Sequence, residues 1–147
     1  MSTAKAGDTI VQEITIKAPA ERVFAALAEP DQRVKWWAGG GRFKATHMES
    51  DLRKGGHWMM AGSGMGGKPF TLRGVYRQVE RPRVLEFTWL PSWQQEPLET
   101  VVRFELRDSD GVTTVRVIHS GLITESSRSQ NRGWPDILAG LRAFIEN

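Results

Sequence analysis

Apolar and polar residues alternate along much of this chain, and a single helical stripe follows the last alternating run. Between Thr9 and Lys17, Ile10, Ile14 and Ile16 alternate with Val11, Glu13 and Thr15, which predicts a strand with one mostly apolar face. Six further segments read the same way: Phe43–Leu52, His57–Ala61, Phe70–Val79, Arg83–Leu90, Thr100–Arg107 and Val112–His119. Turn-forming residues separate them, among them Lys54-Gly55-Gly56, Gly62–Gly67, Arg81-Pro82, Pro91–Pro97 and Asp108–Gly111. Leu85, Phe87 and Trp89 share one strand face. Val102, Phe104 and Leu106 share another, and Val115, Val117 and His119 a third.

Helical spacing occurs in three places. Pro19 suits the first turn of a helix containing Val23, Phe24 and Leu27, and Pro30 ends it. A short helix over Asp31–Trp37 follows, with Asp31 as its cap and Gly39-Gly40-Gly41 after it. Near the C-terminus Trp134, Ile137, Leu138, Leu141, Phe144 and Ile145 fall at i, i+3, i+4 and i+7. Between strand and helix, Glu125–Arg132 reads as a loop or a short helix. A helix with so wide an apolar stripe must lie on the apolar face of a sheet. The order strand, two short helices, six strands and long helix therefore predicts an α+β fold. A curved antiparallel sheet of about seven strands wraps the C-terminal helix. All 147 residues read as one domain, with residues 1–8 as a flexible N-terminus.

Composition narrows the function classes. Lys and Arg number 20 against 17 Asp and Glu. The cations at Lys17, Arg22, Arg33, Arg53, Arg73, Arg81, Arg103, Arg116 and Arg128 are interleaved with acids. That is the pattern of a solvated surface, and nucleic acid is not an expected partner. The absence of cysteine removes disulfide and thiolate chemistry. No segment has the length and apolarity of a membrane span or the pattern of a targeting peptide, so a cytoplasmic location is expected.

The chain resembles the SRPBCC or START-like superfamily, also known by its birch-pollen-allergen or helix-grip fold. Within it, the chain is similar to the family of the C-terminal domain of the activator of heat-shock protein 90 ATPase. The resemblance rests on Ala18–Phe24, Trp36-Trp37, Asp51–Gly56, Gly74-Val75-Tyr76, Arg83–Trp89, His119–Leu122 and Gly133-Trp134, and it spans Thr9 to Asn147. It implies a cavity between sheet and long helix. It implies no fixed chemistry, since the superfamily includes lipid carriers, aromatic cyclases and co-chaperone domains.

Gly62–Lys68 formally contains phosphate-loop spacings, but Pro69 and a strand-like run follow where a helix should begin. His47, His57 and His119 lie on different predicted strands, so neither a metal nor any other cofactor is expected. No nucleophile motif is present, and no catalytic residues are assigned. The six tryptophans carry more information. Strand parity sends Phe87, Trp89, Phe104 and His119 to one apolar face, and the last helix presents Trp134 and Leu138 to it. With Trp36, Trp37 and Tyr76, these form the predicted wall of a cavity for a small apolar or aromatic molecule. A filled core built from the same residues is the alternative. His119 then serves either as a polar anchor or as a core histidine donating to a backbone carbonyl. Trp93, in the Pro91–Pro97 connection, is a rim contact or a cap over the core. Two other functions fit the same pattern. One is a co-chaperone-like domain that binds a chaperone or other protein. The other is a polyketide-cyclase-like enzyme with His119 and Tyr76 as acid and base. The chain is expected as a monomer or homodimer.

Overall fold

Alternate burial along each strand sets the architecture of the computed structural model, which describes residues 8–38, 41, 43–92 and 99–146. The strands are β1 (Ile10–Ile16), β2 (Lys44–Ser50), β3 (His57–Ser63), β4 (Pro69–Glu80), β5 (Val84–Pro91), β6 (Thr100–Ser109) and β7 (Val112–Ser120). The helices are α1 (Ala20–Ala28), α2 (Pro30–Trp36), α3 (Glu125–Gln130) and α4 (Trp134–Glu146). The strands form one antiparallel, curved sheet in the order β1-β7-β6-β5-β4-β3-β2. The α+β fold with a seven-stranded sheet, short helices after the first strand and a C-terminal helix is thus as predicted.

The inward positions are those the parity picked out. Leu85, Phe87 and Trp89 of β5, Val102, Phe104 and Leu106 of β6, and Val115, Val117 and His119 of β7 are buried. Helix α4 buries Trp134, Ile137, Leu138 and Leu141 against them. Each such side chain contributes about 1.5–3 kcal/mol of transfer free energy before its ordering entropy is subtracted. Gly140 sits on the same helix where an added Cβ would lie 3.0 Å from the Trp36 carbonyl oxygen, so the absent side chain lets α4 approach α2. At the far end the Lys17 amide donates to the Glu146 carboxylate at 2.9 Å, tying the last turn of α4 to the end of β1.

The helix boundaries differ from those predicted, for local reasons. Pro19 precedes α1 rather than opening its first turn, with extended backbone at ψ 156. The Ala20 amide at the helix start donates instead to the Asp108 carboxylate from the β6–β7 end, at 3.1 Å. Asp31 is not the cap of α2, because Pro30 already occupies its first turn and Glu29 precedes it. Glu125–Arg132 resolves as α3 plus a turn, and Thr124 and Ser127 form a reciprocal capping box at its start. The glycine-rich segment begins within β3, makes one turn at Met65–Gly67, and passes through Lys68 into strand β4, with no helix after it. Trp93 lies outside the described residues.

The interleaved charges sit mostly on the outward faces. Arg103 donates to Glu105, Gln78 and Glu86 at 2.7, 2.8 and 3.2 Å, across three neighbouring strands. Arg81 likewise bridges to Glu21 and Glu29. Such exposed pairs contribute only about 0.2–1 kcal/mol each and serve mainly to keep that face in water. Arg33 breaks the pattern. It is 1% exposed, so its placement among the solvated cations is corrected. Helix geometry gives the reason: Arg33 lies on the same face of α2 as Pro30, Val34 and Trp37, and that face packs on the sheet.

Candidate functional site

The concave side of the sheet is a continuous field of rings. Trp37, at the end of α2, lies 5.4 Å from Trp36, 5.7 Å from Trp89 and 6.0 Å from Trp134 between ring centres. Trp89 and Trp134 are 5.8 Å apart, and Phe104 meets Trp134 edge-on at 5.9 Å. Phe87 joins Tyr76 and Phe104 at 6.2 and 6.1 Å. Leu138 completes the helix side. The predicted wall residues Trp36, Trp37, Tyr76, Phe87, Trp89, Phe104, His119, Trp134 and Leu138 are all buried in one cluster or its immediate polar edge. Offset and edge-on pairs at these separations each add about 0.5–1.5 kcal/mol beyond area burial.

The polar groups inside this field differ in how fully they are answered. His119 has both ring nitrogens occupied. The Trp134 indole N–H donates to Nδ1 at 3.2 Å, and Nε2 meets the Thr100 hydroxyl at 2.7 Å. Thr100 in turn donates to the Trp89 carbonyl at 3.4 Å, so the network assigns the proton to Nε2 and the imidazole is neutral. Burial holds its pKa down at about 3, well below the ordinary 6.5. The histidine donates to a hydroxyl, not directly to a backbone carbonyl. Tyr76 shares a 2.6 Å hydrogen bond with Ser50, and burial raises its pKa against the lowering effect of nearby Arg33.

Arg33 is the exception. Its guanidinium carbon lies 4.6 Å from the Trp37 ring centre, 4.9 Å from Trp58 and 5.2 Å from Phe87. None of its three nitrogens has a hydrogen-bond acceptor among the described residues. The buried indole nitrogens of Trp58 and Trp89 are likewise without an acceptor there. Desolvation lowers the Arg33 pKa to about 10, against a raising effect from nearby Tyr76. Stacking on a ring is worth about 0.5–2 kcal/mol. Burying a cation costs several kcal/mol even after relaxation, and each unanswered buried donor adds about 1–3 kcal/mol. The rings therefore crowd the guanidinium carbon while its N–H edge has no acceptor among the described residues. That edge carries five N–H donors and no acceptor, the complement of a planar anion. Sequence reasoning placed Trp58 among the interior aromatics but missed Arg33 beside it. The available signal was the three- and four-residue spacing that puts Arg33, Val34 and Trp37 on one helix face.

Trp58 reaches this position because β4 has no side chain opposite it. Gly74 pairs with Trp58, and a Cβ there would lie 2.7 Å from the indole nitrogen and collide with the Thr88 carbonyl oxygen. The Val75 amide donates to the Thr88 hydroxyl at 2.8 Å, just before the register shift between Tyr76 and Gln78 where β4 pairs with β5. Gly74→Ala is expected to cost about 1–3 kcal/mol through overpacking, read as a lower urea midpoint at unchanged slope.

A surface cleft of about 450 Å³ opens between α2 and β2. Its lining includes Val34, Lys35, Trp37, Lys44, Ala45 and Thr46 and holds no carboxylate among the described residues. Trp37 is thus shared between the cleft and the face of Arg33. Among the described residues, no group of three histidines, cysteines or carboxylates is placed to hold a metal ion. No helix among them is long and apolar enough to cross a membrane.

The family model described as activator of Hsp90 ATPase homolog 1-like protein matches residues 17–146. Solved structures share the architecture across nearly the whole chain. Protein CV1439 from Chromobacterium violaceum superposes with a TM-score of 0.83 at 22% identity, covering 95% of this chain and 98% of that one. Protein NE0264 from Nitrosomonas europaea gives 0.81 at 18% identity, covering 99% and 98%. The AHSA1-like protein from Aeromonas hydrophila gives 0.77 at 23% identity, covering 94% and 92%. At these identities the likeness establishes the fold. No curated protein matches the sequence.

Proposed function

The chain belongs to the activator of Hsp90 ATPase homolog 1-like family, and within that helix-grip frame we propose that it binds a small apolar or aromatic molecule between sheet and α4. The reading rests on one observation: the buried ring field of Trp37, Trp89, Phe104 and Trp134 is continuous, through Trp37, with the α2–β2 cleft. The cleft volume falls within the range of small-molecule sites, about 300–1,000 Å³. A flat ligand entering there would exchange ring–ring contacts for ring–ligand contacts of the same kind. His119 would keep the far wall in register through Thr100 and Trp134 rather than meet the ligand first.

The test combines thermal shift with tryptophan fluorescence across neutral aromatic and long-chain apolar compounds. At a ligand concentration 100-fold above Kd, mass action stabilises the fold by about 2.7 kcal/mol, a rise of roughly 5–10 °C in Tm. Quenching of indole emission should accompany the same compounds. Native mass spectrometry of the purified protein should show added mass where a ligand is retained. If no compound raises Tm or quenches emission, the ring field is a filled core, and a protein-interaction role, such as the co-chaperone-like one, becomes the better reading.

A further inference from the structure

We propose that Arg33 is the anion anchor of this interior, and that the ligand is a monocarboxylic acid on a flat apolar body, entering past Trp37 from the α2–β2 cleft. The inference rests on the binding-module reading and names the ligand's chemical class. Four observations carry it. Arg33 is 1% exposed, and all three of its nitrogens lack an acceptor among the described residues. Trp37, Trp58 and Phe87 lie around the guanidinium carbon at 4.6, 4.9 and 5.2 Å, so it packs on rings, which offer its N–H donors no acceptor oxygen or nitrogen. The other buried donors without an acceptor, Trp58 Nε1 and Trp89 Nε1, belong to the same ring field, which makes its unmet demand one of acceptors only. The cleft beside Trp37 bears Lys35 and Lys44 and no carboxylate among the described residues, a field that draws anions inward.

Charge and shape select the class. A guanidinium fork matches a carboxylate with two parallel hydrogen bonds. One buried cation neutralises one negative charge. A phosphate monoester carries about −1.5 to −2 at neutral pH and would bring an uncompensated charge into the interior. The rings on every side favour a flat or slender hydrocarbon body behind the acid.

The experiment uses matched pairs that differ only in the anionic group: 2-naphthoate with 2-naphthamide, phenylacetate with phenylacetamide, and dodecanoate with dodecanamide. Calorimetry gives Kd for each against the wild type, Arg33→Met and Arg33→Lys. In at least one pair the acid should bind the wild type 10-fold or more tighter than its amide. Arg33→Met should abolish that preference while keeping amide affinity within about threefold. Arg33→Lys should keep part of it, because the charge survives and the fork does not. The Arg33 Nε–Hε resonance should shift further on adding the acid than on adding the amide. Because the wild-type ratio needs no variant, poor folding of either substitution leaves the test intact. Equal affinity for acid and amide throughout, or an acid preference that survives in Arg33→Met, overturns the anchor while sparing the binding module. No binding by any acid or amide overturns both.

Discussion

Acidification from pH 7 to pH 3 will remove about 4–5 kcal/mol of folding stability through His119 alone. The folded protein holds this imidazole at about 3, against an ordinary 6.5. Between those values the unfolded chain carries a proton that the folded chain does not. Stability therefore rises with pH through that window, is fully present above about 6.5, and is lost as pH falls toward 3. Each pH unit across the window is worth about 1.36 kcal/mol, which sets the size of the effect. The cause is structural. Protonating Nδ1 would remove the acceptor of the Trp134 indole N–H and place a charge among rings with no carboxylate among the described residues to answer it. Carboxylates titrate in the same range, so the measurement is a difference. Urea unfolding of the wild type and of His119→Gln is followed at half-unit steps from pH 3 to 7. The stability gap between them should widen toward pH 7 by about 4–5 kcal/mol. A gap flat to within about 1 kcal/mol would mean that the histidine is solvated or charged in the folded state.

Leu138→Ala and Leu141→Ala will each cost about 2–5 kcal/mol, a fall in Tm of roughly 5–20 °C. Both side chains are buried, at 1% and 0% exposure, on the face of α4 that also buries Trp134 and Ile137. Truncating either removes the transferred methyl groups and leaves a hole that neighbouring rings cannot close, because they are held by one another at 5–6 Å between centres. Exposed Arg142, outside the buried stripe, supplies the control, and Arg142→Ala should stay within about 0.5 kcal/mol of the wild type. Denaturant melts of the three variants decide the matter. Near-zero costs for both leucines would mean that α4 does not grip the sheet.

If Arg33 and its rings form an acid-binding site, the interior of this fold does two different jobs with its polar groups. His119, Thr100 and the Trp134 indole satisfy one another and hold β6, β7 and α4 together. Arg33 packs against rings, and its N–H donors have no acceptor among the described residues. The distinction separates a polar group that stabilises from one that binds, and it cannot be drawn from residue type alone. Both are cationic or potentially cationic side chains on an apolar face.

The sequence by itself determined the element order and the inward faces. A period of two sends Phe87 and Trp89, Phe104, and His119 to one side whatever the strands pair with, and a period near 3.6 does the same for Trp134, Leu138 and Leu141. Those are local properties, written by the alternation of Cβ directions along one segment. Tertiary structure decided everything that depends on which segments meet. The pairing of β1 with β7, Ile10 opposite His119, joins residues more than a hundred positions apart, and no periodicity encodes it. The choice of His119 as a satisfied core group followed from Thr100 and Trp134 arriving at its two nitrogens from β6 and α4. The burial of Arg33 followed from α2 turning that face onto rings from β3 and β5, against the strong general preference of arginine for water. Composition counted Arg33 as one surface cation among many; only the packed structure could show that water had been excluded from it.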